Sequence, residues 1–163
     1  MNIYGVVGWK NAGKTSLMER LVAEITSRGI TVSTLKHAHH AFDVDQPGKD
    51  SYRHRTAGAR EVLVAGGARW ALMSELRDED EPPLTELLSR LSPVDLVLIE
   101  GWKRDDHPKV EAWRAETGKP MLAPEEHSVR ALAVKGDVES DLPIFDLDDE
   151  MAIADFILSE VGL

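Results

Sequence analysis

Short apolar runs and amphipathic stretches alternate along the first part of the chain. Residues 3–7 form an apolar run of strand length, and apolar side chains then recur at helical spacing as far as Ile25, where Gly29 follows as a helix stop. Residues 31–35 alternate as a second strand, and residues 94–99 form the most apolar strand-length run of the chain. Strands that alternate with helices predict an α/β fold, with a mainly parallel sheet and helices on both faces.

The middle and the end of the chain add a hairpin, further short strands and two helices. Residues 61–65 and 69–73 flank Gly66-Gly67, a dipeptide that favours a tight hairpin turn. Residues 84–91 carry leucines at helical spacing behind Pro82-Pro83. The remaining predicted elements are strands at residues 109–113, 131–134 and 144–145 and a terminal helix striped by Met151, Ala154, Ile157, Leu158 and Val161. The pattern therefore predicts a β-hairpin extension on the α/β fold.

A phosphate-binding motif follows the first predicted strand. Residues 8–15, Gly-Trp-Lys-Asn-Ala-Gly-Lys-Thr, fit every fixed position of the P-loop pattern G-x-x-x-x-G-K-[ST]. The flanking strand and helix favour a fold of the P-loop NTPase type over a chance match, because the amides of such a loop curl around a phosphate at a helix N-terminus. In this interpretation the Lys14 ammonium offsets charge at the terminal phosphates and the Thr15 hydroxyl binds Mg²⁺. The predicted phosphate-binding residues are Asn11, Ala12, Gly13, Lys14, Thr15 and Ser16.

An acidic residue stands at the end of the most apolar strand. Glu100-Gly101 follows residues 94–99, and we predict that Glu100 orients Mg²⁺, directly or through water, while the Gly101 amide approaches the terminal phosphate. The alternative is that Glu100 only ends a strand and faces solvent. Asp95, at the other end of this strand, is the weaker candidate for a ligand.

The segment from Thr34 to Ala59 is rich in histidine, acidic and basic residues. Its notable side chains are His37, His39, His40, Asp43, Asp45, Lys49, Asp50, Arg53, His54 and Arg55. The histidines and aspartates fit a transition-metal site, a solvated loop, or a switch segment in which Asp45 or Asp50 arranges magnesium-bound water. We favour a switch or partner contact over metal binding. The basic residues fit an anionic ligand or an exposed helix face. The residues predicted to act in hydrolysis are thus Lys14, Asp45 and Glu100.

Length and composition restrict the domain number, the classes of ligand and the expected location of the protein. The 163 residues suit one nucleotide-binding domain over residues 1–163. There is no cysteine, so disulfides and thiolate metal sites are excluded. The formal charge of −10 argues against general binding to nucleic acid or to an anionic membrane, which requires a basic surface. No signal-type leader or membrane-length apolar run is present in the sequence. We therefore expect a cytoplasmic protein.

Three segments together resemble one protein family. The loop at residues 8–15, the segment Thr34 to Ala59 and residues 95–103, Asp-Leu-Val-Leu-Ile-Glu-Gly-Trp-Lys, resemble the MobB family of adapter proteins in molybdopterin-guanine dinucleotide biosynthesis. The likeness covers Met1 to about Lys103. It implies a homodimer of the P-loop class, related to metallocofactor-insertion GTPases, with GTP and Mg²⁺ as ligands. The implied partners are the molybdenum cofactor guanylyltransferase and, as a second candidate, the molybdenum-insertion protein.

The resemblance also implies residue roles. Gly13, Lys14 and Thr15 correspond to the phosphate and magnesium residues of the family, and Glu100-Gly101 corresponds to its strand-end acidic element. Dimeric relatives with a signature lysine place it five residues before the invariant one, whereas this chain has Trp9 there and Lys10 one position later, which argues against a catalytic lysine acting across the dimer.

Base recognition and the class of function rest on weaker patterns. Residues 134–137, Val-Lys-Gly-Asp, match the guanine motif [NT]-K-x-D except at its first position, and Asp137 is the residue expected to accept from the guanine N–H donors. The preferred function is a GTP-binding adapter with at most slow hydrolysis. The alternatives are a metallocofactor-insertion GTPase that uses the histidine-rich loop, or a P-loop kinase. A kinase usually needs an arginine-bearing lid, and the acidic, proline-bound residues 77–83 do not suit one.

Overall fold

The computed structural model describes residues 1–38 and 42–163, which form two compact units. The first unit comprises Met1–His37 and Leu91–Leu163, and the second comprises Ala38–Arg90. The prediction of one domain stays a prediction, and the predictions for His39 and His40 concern residues outside the described part of the chain. Among the described residues, no helix combines the length and the apolar character needed to cross a membrane.

Six strands of the first unit form one sheet in which all neighbouring pairs are parallel. The strands of both units are β1 (Asn2–Val7), β2 (Val32–Lys36), β3 (Glu61–Ala65), β4 (Trp70–Ser74), β5 (Leu96–Glu100), β6 (Lys109–Arg114), β7 (Val129–Lys135) and β8 (Ile144–Asp146). The helices are α1 (Lys14–Ser27), α2 (Asp50–Thr56), α3 (Leu84–Ser89) and α4 (Glu150–Val161), with a 3₁₀ turn at Ala115–Thr117. The strand order in the six-stranded sheet is β2-β5-β1-β6-β7-β8. The predicted α/β fold with a mainly parallel sheet is confirmed.

Both helices of the first unit pack on the same face of the sheet. Tyr4 and Val6 of β1 point into a core that they share with buried residues of α1 and α4. Because side chains alternate along a strand, Val7 points to the opposite face, where Met121 and Leu122 from the connection between β6 and β7 pack against its cluster. The sequence pattern predicts helices on both faces. In the first unit α1 and α4 share one face because their apolar stripes pack into the same core.

The strand register brings several carboxyl ends together at one edge of the sheet. Glu100, the last residue of β5, pairs with Val6 of β1 on one side and with Lys36 of β2 on the other. The strand β6 pairs with the other side of β1 and ends at Arg114. In parallel α/β sheets, ligands bind outside the carboxyl ends of the strands. The segment that joins β1 to α1 therefore starts at the edge where Lys36, Glu100 and Arg114 end their strands.

The second unit contains the predicted hairpin and a helix that the sequence pattern does not predict. The strands β3 and β4 are antiparallel, and the N–H of Gly66 donates to the carbonyl of Arg69 at 2.9 Å across the turn. The helix α2 buries none of its residues, so its sequence carries no apolar period by which to recognise it. Arg53 and His54 are exposed on α2. This placement agrees with the second interpretation of the basic residues, an exposed helix face.

Candidate phosphate-binding site

The segment from Gly8 to Thr15, here called the loop, makes a sharp turn between β1 and α1. Gly8 has φ 144°, and a Cβ on it would lie 2.3 Å from the carbonyl oxygen of Ala112, so only glycine fits there. Asn11 also has a positive φ, of 67°. The helix α1 begins at Lys14, within this segment, and has no side-chain cap and no acidic residue in its first turn. Its N-terminal amides and the positive end of its dipole therefore favour an anion.

Lys14 curls back over the loop. Its Nζ donates to the carbonyl oxygen of Trp9 at 2.8 Å, and its side chain is half-buried. Burial lowers the pKa of Lys14 below its ordinary value; the Glu100 carboxylate opposes this shift, and the ammonium groups of Lys103 and Lys36 add to it. Several cations thus act on each other near the loop, although the whole chain is acidic. An anionic ligand would relieve this repulsion.

Glu100 lies beside the first turn of α1. The hydroxyl of Thr15 donates to Oε1 of Glu100 at 3.4 Å, and Nζ of Lys36 donates to Oε2 at 3.2 Å. Glu100 is only 8% exposed, so it does not simply face solvent at a strand end. A hydroxyl and a carboxylate are the hard oxygen ligands that Mg²⁺ accepts. The pair Thr15 and Glu100 therefore fits the predicted magnesium site.

Gly101 and Trp102 continue the chain in an unusual backbone conformation. Gly101 has φ 105°, and a Cβ on it would lie 2.8 Å from Cβ of His37. Trp102 has φ 47°, and its ring centroid lies 4.8 Å from that of His37. The amide of Gly101 donates to the carbonyl of Val6 at 3.2 Å. The predicted contact between this amide and a terminal phosphate would require that bond to break.

An open cavity of about 400 Å³ lies at the loop. Its lining residues are Asn11, Gly13, Lys14, Thr15, Ser16, Arg114 and Glu116. Ala12 is 2% exposed, so its side chain is packed and only its backbone is suited to a phosphate contact. Arg114 and Glu116 are not predicted from the sequence. No local motif marks them, because only the pairing of β6 with β1 brings them to the loop.

Asp45 has structural partners within the second unit. It accepts from the hydroxyl of Ser51 and from the amide of Gln46, both at 2.9 Å. Arg55 lies 3.6 Å from Asp45 and also pairs with Asp43 at 2.7 Å and with Glu75 at 3.0 Å. These ion pairs join Asp43 and Asp45, which precede α2, to Arg55 within α2. The catalytic role of Asp45 stays a prediction.

The residues proposed to read the base lie at the end of β7. Nζ of Lys135 contacts carboxylate oxygens of Asp146 at 3.1 Å and Asp148 at 2.5 Å, and these contacts raise the pKa of Lys135. Asp137 is exposed just beyond β7. Since β7 runs parallel to β6 and β1, Asp137 follows the strand at the same edge of the sheet as the loop.

Comparisons with known proteins identify the family of the chain. A family model described as MobB, molybdopterin guanine dinucleotide synthesis protein B, matches residues 3–135. The chain belongs to the MobB family. The molybdopterin-guanine dinucleotide biosynthesis adapter protein of Escherichia coli (strain K12) is 41% identical over 153 residues, which cover 92% of this chain and 87% of that protein. The protein of the same name from Haemophilus influenzae is 38% identical over 158 residues, with 95% and 86% covered.

Solved structures of the MobB family share the fold. The crystal structure of a MobB protein homolog from Bacillus stearothermophilus has a TM-score of 0.74 and 30% identity, with 99% of each chain covered. The MobB family match includes the loop, Glu100 and Arg114, and it ends at residue 135, before Asp137. The loop and the strand ends beside it therefore lie inside the region that matches the family, whereas the predicted base-reading residue lies outside it.

The metal-binding interpretation of the histidine-rich segment receives no support from the described residues. Across residues 1–38 and 42–163, no group of three or more histidine, aspartate or glutamate side chains is arranged to hold a metal ion. The ring of His37 lies 4.8 Å from that of Trp102 at a tilt of 33°, and His39 and His40 lie outside the described residues.

Proposed function

We propose that this protein is a GTP-binding adapter of molybdenum cofactor biosynthesis. It would act in the cytoplasm and assist the guanylyltransferase that forms molybdopterin guanine dinucleotide, with the molybdenum-insertion protein as a second candidate partner. The proposal rests on one observation, the convergence of Lys14, Thr15 and Glu100 at the uncapped N-terminus of α1. The adapter names of the relatives from Escherichia coli and Haemophilus influenzae support the biosynthetic assignment.

Different residues at the loop would bind the phosphates and the Mg²⁺ ion. The amides of residues 11–16 and the Lys14 ammonium would hold the phosphates, and Thr15 and Glu100 would hold Mg²⁺. The cation would neutralise phosphate charge when bound. Lys36 donates to the same carboxylate at 3.2 Å, so its ammonium competes with a cation for Glu100. This competition would weaken the binding of a cation to Glu100 alone, so phosphate oxygens of the nucleotide would be needed as further ligands.

The chain has more of the residues needed to bind a nucleotide than of those needed to hydrolyse GTP. Directly after Gly101 the chain has Trp102, Lys103 and Arg104 and no glutamine to position water. Nζ of Lys103 lies 4.2 Å from the ring centroid of Trp9, a cation–π contact that holds this lysine against the loop. Fast GTPases use an arginine to stabilise the transition state; of the two arginines considered for this role, Arg53 and Arg55, Arg55 is paired with Asp43 and Glu75. An adapter with slow turnover fits these contacts better than an efficient GTPase.

A homodimer is part of this proposal. Leu63, Trp70 and Leu72 are large apolar residues that are 61%, 66% and 43% exposed. Leu63 pairs with Leu72, and Trp70 lies two residues from Leu72 on the same strand, so all three side chains share one face of the hairpin. An exposed apolar face on a two-stranded sheet is suited to a second copy of the chain.

GTP should bind more tightly than ATP, and Asp137 should carry the preference. An aspartate accepts from the two N–H donors of guanine, so Asp137→Asn should shift the preference from GTP to xanthosine triphosphate by roughly tenfold or more. Calorimetric titration of both proteins with the three nucleotides measures the shift. Asp141→Asn, an exposed change of the same kind a few residues later, is the matched control. An unchanged preference in the Asp137 variant means that another segment reads the base.

The isolated protein should hydrolyse GTP more slowly than about one turnover per second, the low end for ordinary enzymes. It should bind the guanylyltransferase in a pull-down, and more strongly with GTP present than without nucleotide. Phosphate release measured with and without the guanylyltransferase separates an adapter from an enzyme. Rapid turnover by the isolated protein, together with no capture of the guanylyltransferase, would reject the adapter proposal.

A further inference from the structure

An arginine that no motif predicts lies against the start of α1. Arg114 is the last residue of β6, and its side chain lines the same cavity as the loop. Its Nε lies 3.1 Å, and its Nη2 3.4 Å, from the position that a Cβ on Gly13 would take. Gly13 is the N-cap residue of α1. The guanidinium therefore packs directly on the backbone that turns into the helix.

The guanidinium of Arg114 has no anionic partner in the part of the chain that the structure describes. Neither a hydrogen bond nor an ion pair joins it to another described residue, and Glu116 on the same cavity wall is not within ion-pair distance. By contrast, Arg20, Arg28 and Arg130 each pair with a carboxylate. An unpaired, half-buried arginine stands out in a chain with a formal charge of −10.

The start of α1 adds further positive charge near Arg114. The N-terminus of α1 carries the positive end of the helix dipole and has no acidic residue in its first turn. Lys14, the first residue of α1, lines the same cavity. Like charges at close range destabilise one another unless an anion separates them. A planar guanidinium presents a fork of donors that matches two phosphate oxygens.

We infer that Arg114 binds a phosphate group of the nucleotide held by the loop. This inference rests on the proposed nucleotide-binding function and adds a residue to that site. Arg114 is then a binding residue supplied by a neighbouring strand, which reaches the ligand beside the N-terminal amides of α1. It also gives a reason why none of the carboxylates in the described residues pairs with this arginine.

Nucleotide titrations of Arg114 variants test the inference. Arg114→Gln should weaken GTP and GDP binding by roughly 10-fold to 100-fold, because a charge-assisted contact to phosphate is lost. Arg114→Lys should recover part of the affinity, since it keeps the charge and loses the fork. Arg130→Gln is the matched control, because Arg130 lies near the start of β7 and pairs with Glu160 at 3.1 Å; its GTP affinity should stay within about twofold of the wild type.

Thermal unfolding without nucleotide separates binding from structure. If Arg114 serves the ligand, Arg114→Gln should leave the midpoint unchanged or raise it, because a positive charge is removed from the positive end of the α1 dipole. A lower midpoint together with unchanged GTP affinity would assign Arg114 to structure and overturn the inference. Equal GTP binding by wild type and variant would overturn it while leaving the proposed function intact.

A wild-type protein that binds neither GTP nor GDP would reject the proposed function, and titration with inorganic tripolyphosphate then decides the role of Arg114. Binding of tripolyphosphate to the wild type but not to Arg114→Gln would support a phosphate site at Arg114. Equal binding to both proteins, or binding to neither, would overturn it.

Discussion

Lys14→Ala should weaken GTP binding by roughly 30-fold to 4,000-fold while the protein stays folded, since loss of a charged partner in a partly desolvated site costs about 2–5 kcal/mol. The ammonium of Lys14 lies over the loop and donates to the carbonyl of Trp9 at 2.8 Å. Lys14 is the first residue of α1, and its side chain is half-buried. Calorimetric titration with GTP and Mg²⁺ measures the loss.

The fold should survive this change because Lys14 contributes little to packing. Removing its single hydrogen bond to the loop should lower the free energy of unfolding by about 1 kcal/mol, which urea unfolding of the nucleotide-free proteins checks. Lys10→Ala is the matched control, since Lys10 lies on the same loop with an exposed side chain and should change GTP affinity by less than about threefold. A folded Lys14 variant with wild-type GTP affinity would contradict the assignment of the loop as a nucleotide site.

Trp70→Lys should convert the proposed homodimer to a monomer at micromolar concentration. Buried tryptophans are typical interface hot spots whose loss costs about 2 kcal/mol or more, and a lysine adds an unpaired charge at the same place. The dissociation constant should therefore rise by roughly 30-fold or more. Sedimentation velocity over a concentration series measures the change.

The hairpin offers a control within the same strand. Ala71 is exposed and lies between Trp70 and Leu72 on β4, so its side chain points to the opposite face of the hairpin. Ala71→Lys adds the same charge there and should leave the dimer unchanged. A wild-type protein that sediments as a monomer would reject the homodimer. A Trp70→Lys protein that still dimerises would place the interface on another surface.

Local patterns in the sequence determine much of the first unit and the hairpin of the second. The apolar runs and helical spacings predict β1, β5, α1 and α4 close to their observed bounds, because each buries a regular set of side chains. The Gly66-Gly67 dipeptide likewise predicts the hairpin, since turn chemistry is a local property. The helix α2 is not predicted because none of its residues is buried. A helix without a buried face has no periodic pattern of apolar residues in its sequence.

The candidate site likewise contains residues that the sequence indicates and residues that only the tertiary structure brings together. The sequence by itself determines the loop, with Gly13, Lys14 and Thr15 adjacent in the chain, and it indicates Glu100 as the acidic end of a buried strand. Only the tertiary structure decides that Lys36 shares the carboxylate of Glu100 and that Arg114 packs on Gly13. These contacts depend on which strands lie side by side and in which register, and parallel pairing joins residues that are far apart in the chain. No local spacing encodes that choice, because it is decided by how the whole sheet buries its two faces.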